Sequence, residues 1–595
     1  MKEEKETFAG KSGKKIRYGW IVLIVILALL GGIAFQANRQ LKTLYTMAKE
    51  AKQNALDSVS LFFDEEYDAS QRKLNKAHET LKYFRSFAEN EFVYDMGCRF
   101  KKYSDDFKAA CALMDIADET LNKWTDRTYD LVREYSLKEI VREDGYDIRA
   151  ILAYLNFAED LVPEAERLLP EVCSIKLSFF DIEGAVSEHQ DKIDELLSLY
   201  HRAEYYLPLL HAVLGDGSDK LFLIAAQNTA EIRPGGGFPG SMGTVTIKDG
   251  ILSIGDFDSV WSVMPANTPS HLMPSSSMNS LFGGVLVWPR DAEFCPDFEW
   301  LGKFWGDVYE YKYGVAPDAV FSVTPAIIQE FLKIAGEIQV SNGDIVDGSN
   351  AVRLLQYEWY ARYMNASAIA YGIDAPNERM DAIFEEVVKG TFAVASESLD
   401  LEKIPLLIDF IEQSAKDRIF MMWLRDEEGQ ALVKSYGFSG GLNDDPEKPA
   451  VGVFFGNNYG SKLGWWIDMN ASVGEGRQLS DGSMEYDVTV SFRNNFNYGD
   501  AYYLGYWISG VRMNGILDWY VYVFAPSGGS ISSAYIDYWW NPCDISWYNG
   551  LQVAYKQRYY FHPQTYSNIY LTVRTAPGVT EKPTVYQTPT LTKYR

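Results

Sequence analysis

The amino-acid sequence predicts an α+β multidomain protein. Its parts are an N-terminal transmembrane helix, a helical bundle or coiled-coil module, an α/β domain and a C-terminal antiparallel β-sandwich. Three observations carry this prediction. One long apolar run, and only one, stands near the N-terminus. Apolar residues then recur at three-, four- and seven-residue spacing as far as Leu214, the period of an amphipathic helix. From Gly215 strand and helix patterns alternate, and beyond Pro446 short alternating runs are separated by Gly, Asn and Asp.

Residues 1–17 read as a short tail carrying Lys11, Lys14, Lys15 and Arg17. Tyr18 to Phe35 (YGWIVLIVILALLGGIAF) carries no charge. It approaches the ~20 residues needed to cross ~30 Å of hydrocarbon. By the positive-inside rule the tail is cytoplasmic, residues 18–36 span the cell membrane once, and the bulk of the chain is extracytoplasmic. A cleaved signal peptide is the competing reading, but no A-x-A site follows the run.

Residues 37–214 form the helical module. Leu56, Phe63, Tyr67, Leu74, Leu81 and Phe84 make one stripe, whose plain reading is bundle core and whose alternative is a partner-binding coiled coil. Cys98 and Cys111 either pair or remain thiols; five cysteines in 595 residues build no disulfide framework.

Residues 215–445 form the α/β domain. Leu221 to Ala226 suits a buried strand, and TVTIKDGILSIGDF reads as two strands joined at Asp249-Gly250. Helices follow at Glu299–Tyr313, in PAIIQEFLKIAG, in SNAVRLLQYEWYARY and in NERMDAIFEEVVKGTF, with a strand at Ala319–Val323. Residues 446–577 form the sandwich, from the runs VGVFFGNN, WWIDMNASV, MEYDVTVSFRNN, YYLGYWISG and WYVYVFAPSG. Residues 578–595, rich in Pro and Thr, are expected to be a flexible tail.

The net charge of -26 repels phosphate backbones and excludes general nucleic-acid binding. Six histidines, with no H-E-x-x-H or C-x-x-C, argue against zinc, and the absence of G-x-S-x-G argues against an α/β-hydrolase.

Two segments are candidate sites. QNTAEIRPGGGFPGS (residues 227–241) follows a buried strand, where ligand loops sit in open α/β sheets. Its three glycines let backbone N–H groups approach an anion, and Arg233 offers a bidentate fork. Equally, it is a tight structural loop with Arg233 paired to a carboxylate. VWPRDAEFCPDF (residues 287–298) carries Arg290, Asp291, Glu293 and Asp297, either cation ligands or salt-bridged loop residues, and Cys295 reads as buried. The sandwich is rich in Trp and Tyr (Trp465, Trp466, Trp507, Trp519, Trp539, Trp540, Trp547), rings suited to core packing or to sugar binding.

The first motif, the strand pair after it and RDAEFCPDF together resemble the bacterial domain-of-unknown-function 4012 family. That family's pattern is Q-N-x-A-E-x-R-x-x-G-G-F-x-G-S followed by a D/N-A-x-x-S-P-D-F box, with Cys295 here in place of the usual Ser. The likeness spans about Gly215 to Pro577 and names Gln227, Asn228, Glu231, Gly235, Gly236, Gly237, Phe238, Ser241 and Asp297 as expected ligand-binding residues. The order of elements is more remotely similar to the LytR-CpsA-Psr envelope proteins, membrane-anchored α/β domains that transfer polyprenyl-pyrophosphate glycans to the wall. That similarity implies a phosphate-binding, catalytic trio of Arg233, Arg362 and Arg379 around one cleft, with Asp258 and Asp291 helping to hold Mg²⁺. Two acidic positions of that family's pattern are missing: Asn228 replaces one Asp, and the GGFPGS loop replaces its Arg-x-Asp-Thr stretch.

The expected function is a membrane-anchored envelope protein that binds an anionic lipid-linked glycan or wall component as a binding or scaffold module. The alternative is a glycopolymer transferase acting on polyprenyl-pyrophosphate-linked polymers. The implied partners are the membrane, polyprenyl-phosphate lipid, cell-wall glycan or a surface protein.

Overall fold

The computed structural model describes residues 42–90, 95, 98–99, 104–135, 140–142, 145–178, 181–187, 190–215, 218–364, 376–398, 403–500, 504–510 and 514–595. The expected membrane span lies outside them. Among the described residues no helix is long and apolar enough to cross a membrane. Two compact units divide the chain, Met1–Leu207 and Pro208–Arg595.

In the first unit α1 (Lys42–Phe63), α2 (Tyr67–Ala88) and α3 (Ser104–Glu134) share a core of Leu74, Ala77, Leu81, Ala117 and Leu121. The predicted stripe is therefore bundle core at Leu74 and Leu81, while Leu56 stays exposed at its margin. Three hydroxyls are buried within it: Ser70 Oγ meets Tyr129 Oη at 2.6 Å and Ser58 Oγ at 3.1 Å. A short hairpin, β1 (Val141–Arg142) with β2 (Gly145–Asp147), interrupts the helices. Strands of two and three residues are too short to leave a period in the sequence. Asp147 caps α4 (Ile148–Ser174) by accepting from the Ala150 amide at 3.2 Å. The helices α5 (Ile182–Ser187), α6 (Gln190–Glu204) and α7 (Leu207–Leu214) follow. Cys98 and Cys111 are free thiols.

The second unit takes in α7 from Pro208 onward and continues into a mixed sheet. Within it β3 (Lys220–Asn228), β4 (Phe238–Lys248), β5 (Ile251–Ser259), β6 (Ala319–Val323) and β9 (Phe420–Leu424) run in the order β5-β4-β3-β6-β9. Only β3 and β6 are parallel. The β4–β5 turn falls at Asp249-Gly250, both with positive φ, as its sequence predicts. One face is covered by α8 (Phe298–Tyr313), which packs Leu301, Phe304 and Trp305 onto Leu223, Ala225 and Val320. α8 stops at Gly314, whose φ of 73° satisfies the left-handed cap.

Between β6 and β9 lie α9 (Pro325–Ala335), the hairpin β7 (Ile338–Gln339) and β8 (Ile345–Val346), a helical stretch over residues 351–363, α10 (Pro376–Ser398) and α11 (Ile404–Lys416). The 351–363 stretch contains a π turn at Leu354–Glu358. Leu354, Leu355, Trp359, Ile383 and Val387 form a separate small core. After β9 comes α12 (Glu427–Ser435).

The last part is a sandwich. One sheet has the order β16-β17-β14-β10-β19, with β10 (Ala450–Asn457), β14 (Leu517–Phe524), β16 (Asp544–Tyr548), β17 (Leu551–Phe561) and β19 (Thr584–Gln587). The other has the order β11-β13-β18-β15, with β11 (Ile467–Val473), β13 (Met484–Asn494), β15 (Ser530–Ile536) and β18 (Tyr566–Arg574), and β12 (Arg477–Gln478) beside β13. Val453, Phe455, Trp519 and Val521 face Val488, Val490, Ile569 and Leu571 across the sandwich core. The alternate residues Phe454, Tyr520, Tyr522 and Phe524 face outward, onto Phe282, Leu286, Phe294 and Cys295 of the α/β domain. Both faces of β10 and β14 are thus covered, and every residue of each is buried. That explains why these two runs, expected to alternate, are instead nearly continuous apolar stretches.

Two expectations are corrected. The run YYLGYWISG is not a strand: its described part is a helical turn, Tyr506–Ser509, between Gly505 and Gly510, both at positive φ. The C-terminal tail is not loose. β19 pairs in parallel with β10, and Leu591 and Tyr594 are buried beside Ala230, Ala326 and Ile419. Pro and Thr predict extended chain, and here a strand edge was available to take it up.

Candidate functional site: a buried polar seam

The first motif leaves the end of β3 and turns directly into the seam between sheet and sandwich. Asn228 shapes the turn, its Oδ1 accepting from the amides of Ala230 at 3.1 Å and Glu231 at 3.3 Å. The next residues bond to the sandwich. The Asn457 amide donates to the Ile232 carbonyl at 3.0 Å, the Gly464 amide to the Ala230 carbonyl at 2.9 Å, and the Thr588 hydroxyl to the Pro234 carbonyl at 2.9 Å. Ile232 belongs to the sandwich core.

Arg233 is 4% exposed. Its Nη1 donates to the Asn457 carbonyl, and its guanidinium lies 5.1 Å from the Phe294 ring and 5.8 Å from the Phe238 ring. Glu231 pairs with Lys462, a lysine 2% exposed whose ammonium sits 4.2 Å from the Tyr360 ring. Burial pulls the Lys462 pKa down, against the pull of Glu231.

The glycines close against backbone. The Gly235 amide donates to the Glu293 carbonyl at 2.7 Å, the Gly236 amide to the Arg233 carbonyl at 3.0 Å, and the Phe238 amide to the Glu231 carbonyl at 3.0 Å. A Cβ on Gly237 would stand 2.4 Å from the Asn228 carbonyl oxygen, and one on Gly236 would stand 2.3 Å from Gln227 Oε1. The run of glycines is therefore required for close packing. Of the N–H groups expected to cradle an anion, at Gly235 to Gly237, that of Gly235 donates to the second motif and that of Gly236 within the loop.

The second motif completes the seam. Glu293 is fully buried, and burial raises its carboxyl well above the usual range, with Arg233 opposing. Its two oxygens, both amide atoms of Gln227, the Thr229 hydroxyl and Arg233 Nε are buried without a hydrogen-bond partner among the described protein atoms. Asp297 accepts from Tyr548 Oη at 3.0 Å and Asn549 Nδ2 at 3.4 Å; burial raises its pKa, and the Tyr548 bond partly reverses this. Cys295 Sγ is 3.6 Å from Tyr548 Oη, and burial pushes its thiol well up, which disfavours the thiolate. Arg418, at positive φ, donates to the Pro296 carbonyl at 2.9 Å, and burial lowers its pKa to about 10.

The remaining expected residues lie elsewhere. Arg362 is exposed and donates to Asp344 Oδ2 at 2.6 Å. It follows Tyr360 by two residues, roughly 200° around a helix, so it points away from the side that meets Lys462. Arg233 and Arg362 therefore do not converge on one open pocket, because each has a separate local partner. The side chain of Arg379, on α10, lies outside the described residues. Ser241 is half-buried on β4, opposite Ala226 and Ser259.

Asp258 is exposed on β5, whereas Asp291 stands 3.5 Å from Arg290 and also faces Arg233. Burial raises the Asp291 pKa. Mg²⁺ demands near-octahedral oxygen ligands, and a carboxylate already facing two guanidiniums is a poor one. Among the described residues no group of three or more His, Cys, Asp or Glu is placed to hold a metal ion.

Asn457, Lys462, Arg418 and Tyr548 were not picked out in the sequence. Each meets a motif residue more than 100 positions away, so no local spacing marks it. No curated protein and no solved structure matches the chain. Residues 217–360 match the family model described as "Protein of unknown function (DUF4012)", a stretch ending before the sandwich residues that grip the loop. Over that segment the chain is similar to the DUF4012 family.

Proposed function

We propose that this chain is a membrane-tethered, extracytoplasmic envelope protein that binds wall material as a scaffold, without turnover. The tether is the uncharged run Tyr18 to Phe35 behind its basic tail. The observation that carries the scaffold reading over a transferase is the burial of Arg233, whose guanidinium is engaged by the Asn457 carbonyl and two aromatic rings. A pyrophosphate-binding arginine must meet its ligand, and this one holds two layers of the protein together. Missing acidic positions in the remote LytR-CpsA-Psr likeness point the same way.

The test uses the full chain in detergent micelles. It is incubated with a polyprenyl-pyrophosphate-linked oligosaccharide, purified wall sacculi and Mg²⁺. The scaffold reading expects the chain to sediment with sacculi and no lipid phosphate to be released. Release of lipid phosphate lost in Arg233→Ala but kept in a fold-matched control would establish the transferase instead.

A further inference from the structure

The seam buries a nucleophile that the scaffold reading does not use. Lys462 is 2% exposed, and its ammonium meets the Glu231 carboxylate and the face of the Tyr360 ring. An ammonium has three N–H donors, yet among the described residues only Glu231 accepts a hydrogen bond from this one. Lysine is almost never buried so completely unless it is well paired. Burial lowers the Lys462 pKa and the charge of Arg233 lowers it further, while Glu231 pulls the other way. Desolvation beside another cation is what turns a lysine into a nucleophilic amine.

Backbone on both sides holds the pair together. The Glu231 amide donates to the Asn228 carbonyl at 3.0 Å, and the Glu231 carbonyl accepts from the Phe238 amide at 3.0 Å. The Gly464 amide donates to the Ala230 carbonyl at 2.9 Å, which ties the two stretches of chain within two residues of the pair. Groups held in this way react with effective concentrations of up to about 10⁵–10⁸ M.

A third group is in place to move protons. Asp291 is mostly buried and feels the charges of Arg233, Arg290 and Glu231; burial raises its pKa. A carboxyl poised in this way can pass a proton to one Glu231 oxygen and take one from the amine. The energetics favour condensation. A buried ion pair carries the desolvation cost of two charges, and an amide carries neither charge. The enclosed seam also keeps out the water that would reverse the step.

We propose that Lys462 and Glu231 are joined by an intramolecular isopeptide bond that fastens the signature loop to the sandwich. One ammonium proton passes through Asp291 to the Glu231 carboxylate. The Lys462 Nζ–Glu231 Cδ bond then forms and the Cδ–OH bond breaks. Water leaves with that oxygen, its proton and a second proton from Nζ. No oxidant or cofactor takes part. The bond closes a covalent loop across the two layers and is independent of the wall-binding reading.

The experiment is mass spectrometry on the full chain purified in detergent micelles. The intact wild type should be lighter than its sequence mass by one water molecule. Trypsin does not cut at an amidated lysine, and the Arg233–Pro234 and Lys448–Pro449 bonds resist it. The digest should therefore hold Leu221–Lys248 joined to Ser435–Arg477, with Lys462 uncut. Lys462→Arg keeps the cation and cannot form this bond, so it should show its full sequence mass. Asp291→Asn should leave the pair unjoined. Separate wild-type peptides cut at Lys462 overturn the proposal whatever the variants do. Loss of water that persists in Lys462→Arg places it elsewhere in the chain and overturns it too. Complete joining in Asp291→Asn would overturn the proton path given to Asp291.

Discussion

Arg233 and Arg362 show how differently two arginines of one sequence can be used. The first is buried and holds the sandwich; the second is exposed and pairs with Asp344. Removing the Arg233 guanidinium takes a donor from the buried Asn457 carbonyl, and leaving a buried polar group unsatisfied costs about 1–3 kcal/mol. An exposed pair is worth about 0–1 kcal/mol. Arg233→Met should therefore lower the denaturation midpoint strongly while Arg362→Met leaves it nearly unchanged, as chemical denaturation would show. Equal effects of the two would remove the structural role assigned to Arg233.

Glu293 makes a prediction in pH. Its folded pKa is raised above the unfolded value by burial, so in the folded state it keeps a proton that the unfolded chain loses. Its stabilising contribution is full below the ordinary carboxylate range, about 4.3 in the unfolded chain, and is lost as pH rises towards the folded value. Glu293→Gln, which is neutral at every pH, should gain melting temperature relative to wild type from pH 5 to pH 8. A gap that stays constant across that window would mean Glu293 is already ionised when folded.

At the level of elements, the last strand matters more than its composition suggests. β19 pairs with β10, and Thr588, fully buried, donates to Pro234 of the signature loop. Tyr594 Oη donates to Asp417 at 2.7 Å, which helps hold that carboxyl below its usual range even though burial, the larger influence, opposes it. Deleting residues 584–595 uncovers an edge of β10 and opens the seam from one side. Limited proteolysis of the truncated chain should cut between residues 227 and 241 at protease levels that leave the full chain intact. Resistance of that loop in the deletion would show that β19 is dispensable to it.

At the level of the whole molecule, the sandwich and the α/β domain share cores. Ile232 lies among sandwich residues, and Phe294 packs edge-on to Tyr520 with ring centroids 5.4 Å apart. Elements joined by a common core unfold together. Thermal unfolding followed by fluorescence of a single-Trp variant retaining Trp519 in the sandwich, and of one retaining Trp305 in the α/β domain, should give the same midpoint. Separate midpoints would mean the seam is a weak contact between independent domains.

Much of the architecture follows from the sequence because its signals are local. A helix announces itself through a period of 3.6 residues, and α8 also through the glycine that ends it. The β4–β5 hairpin was legible in Asp249-Gly250, since few residue pairs tolerate two positive φ values in succession. The two motifs were likewise visible as unusual strings and proved to be neighbours, through the Gly235 amide and the Glu293 carbonyl. What those strings are for was decided only by the tertiary structure. Glycines that admit a phosphate and glycines that admit another backbone have the same sequence. The difference lies in what arrives from residues 418–464 and 548–588, and no spacing within the loop records it. The same holds for the aromatics: Trp519 and Trp540 are alike in composition, yet one is in the sandwich core and the other in water. Local propensity shapes a segment, but which of its faces is covered depends on chain hundreds of residues away.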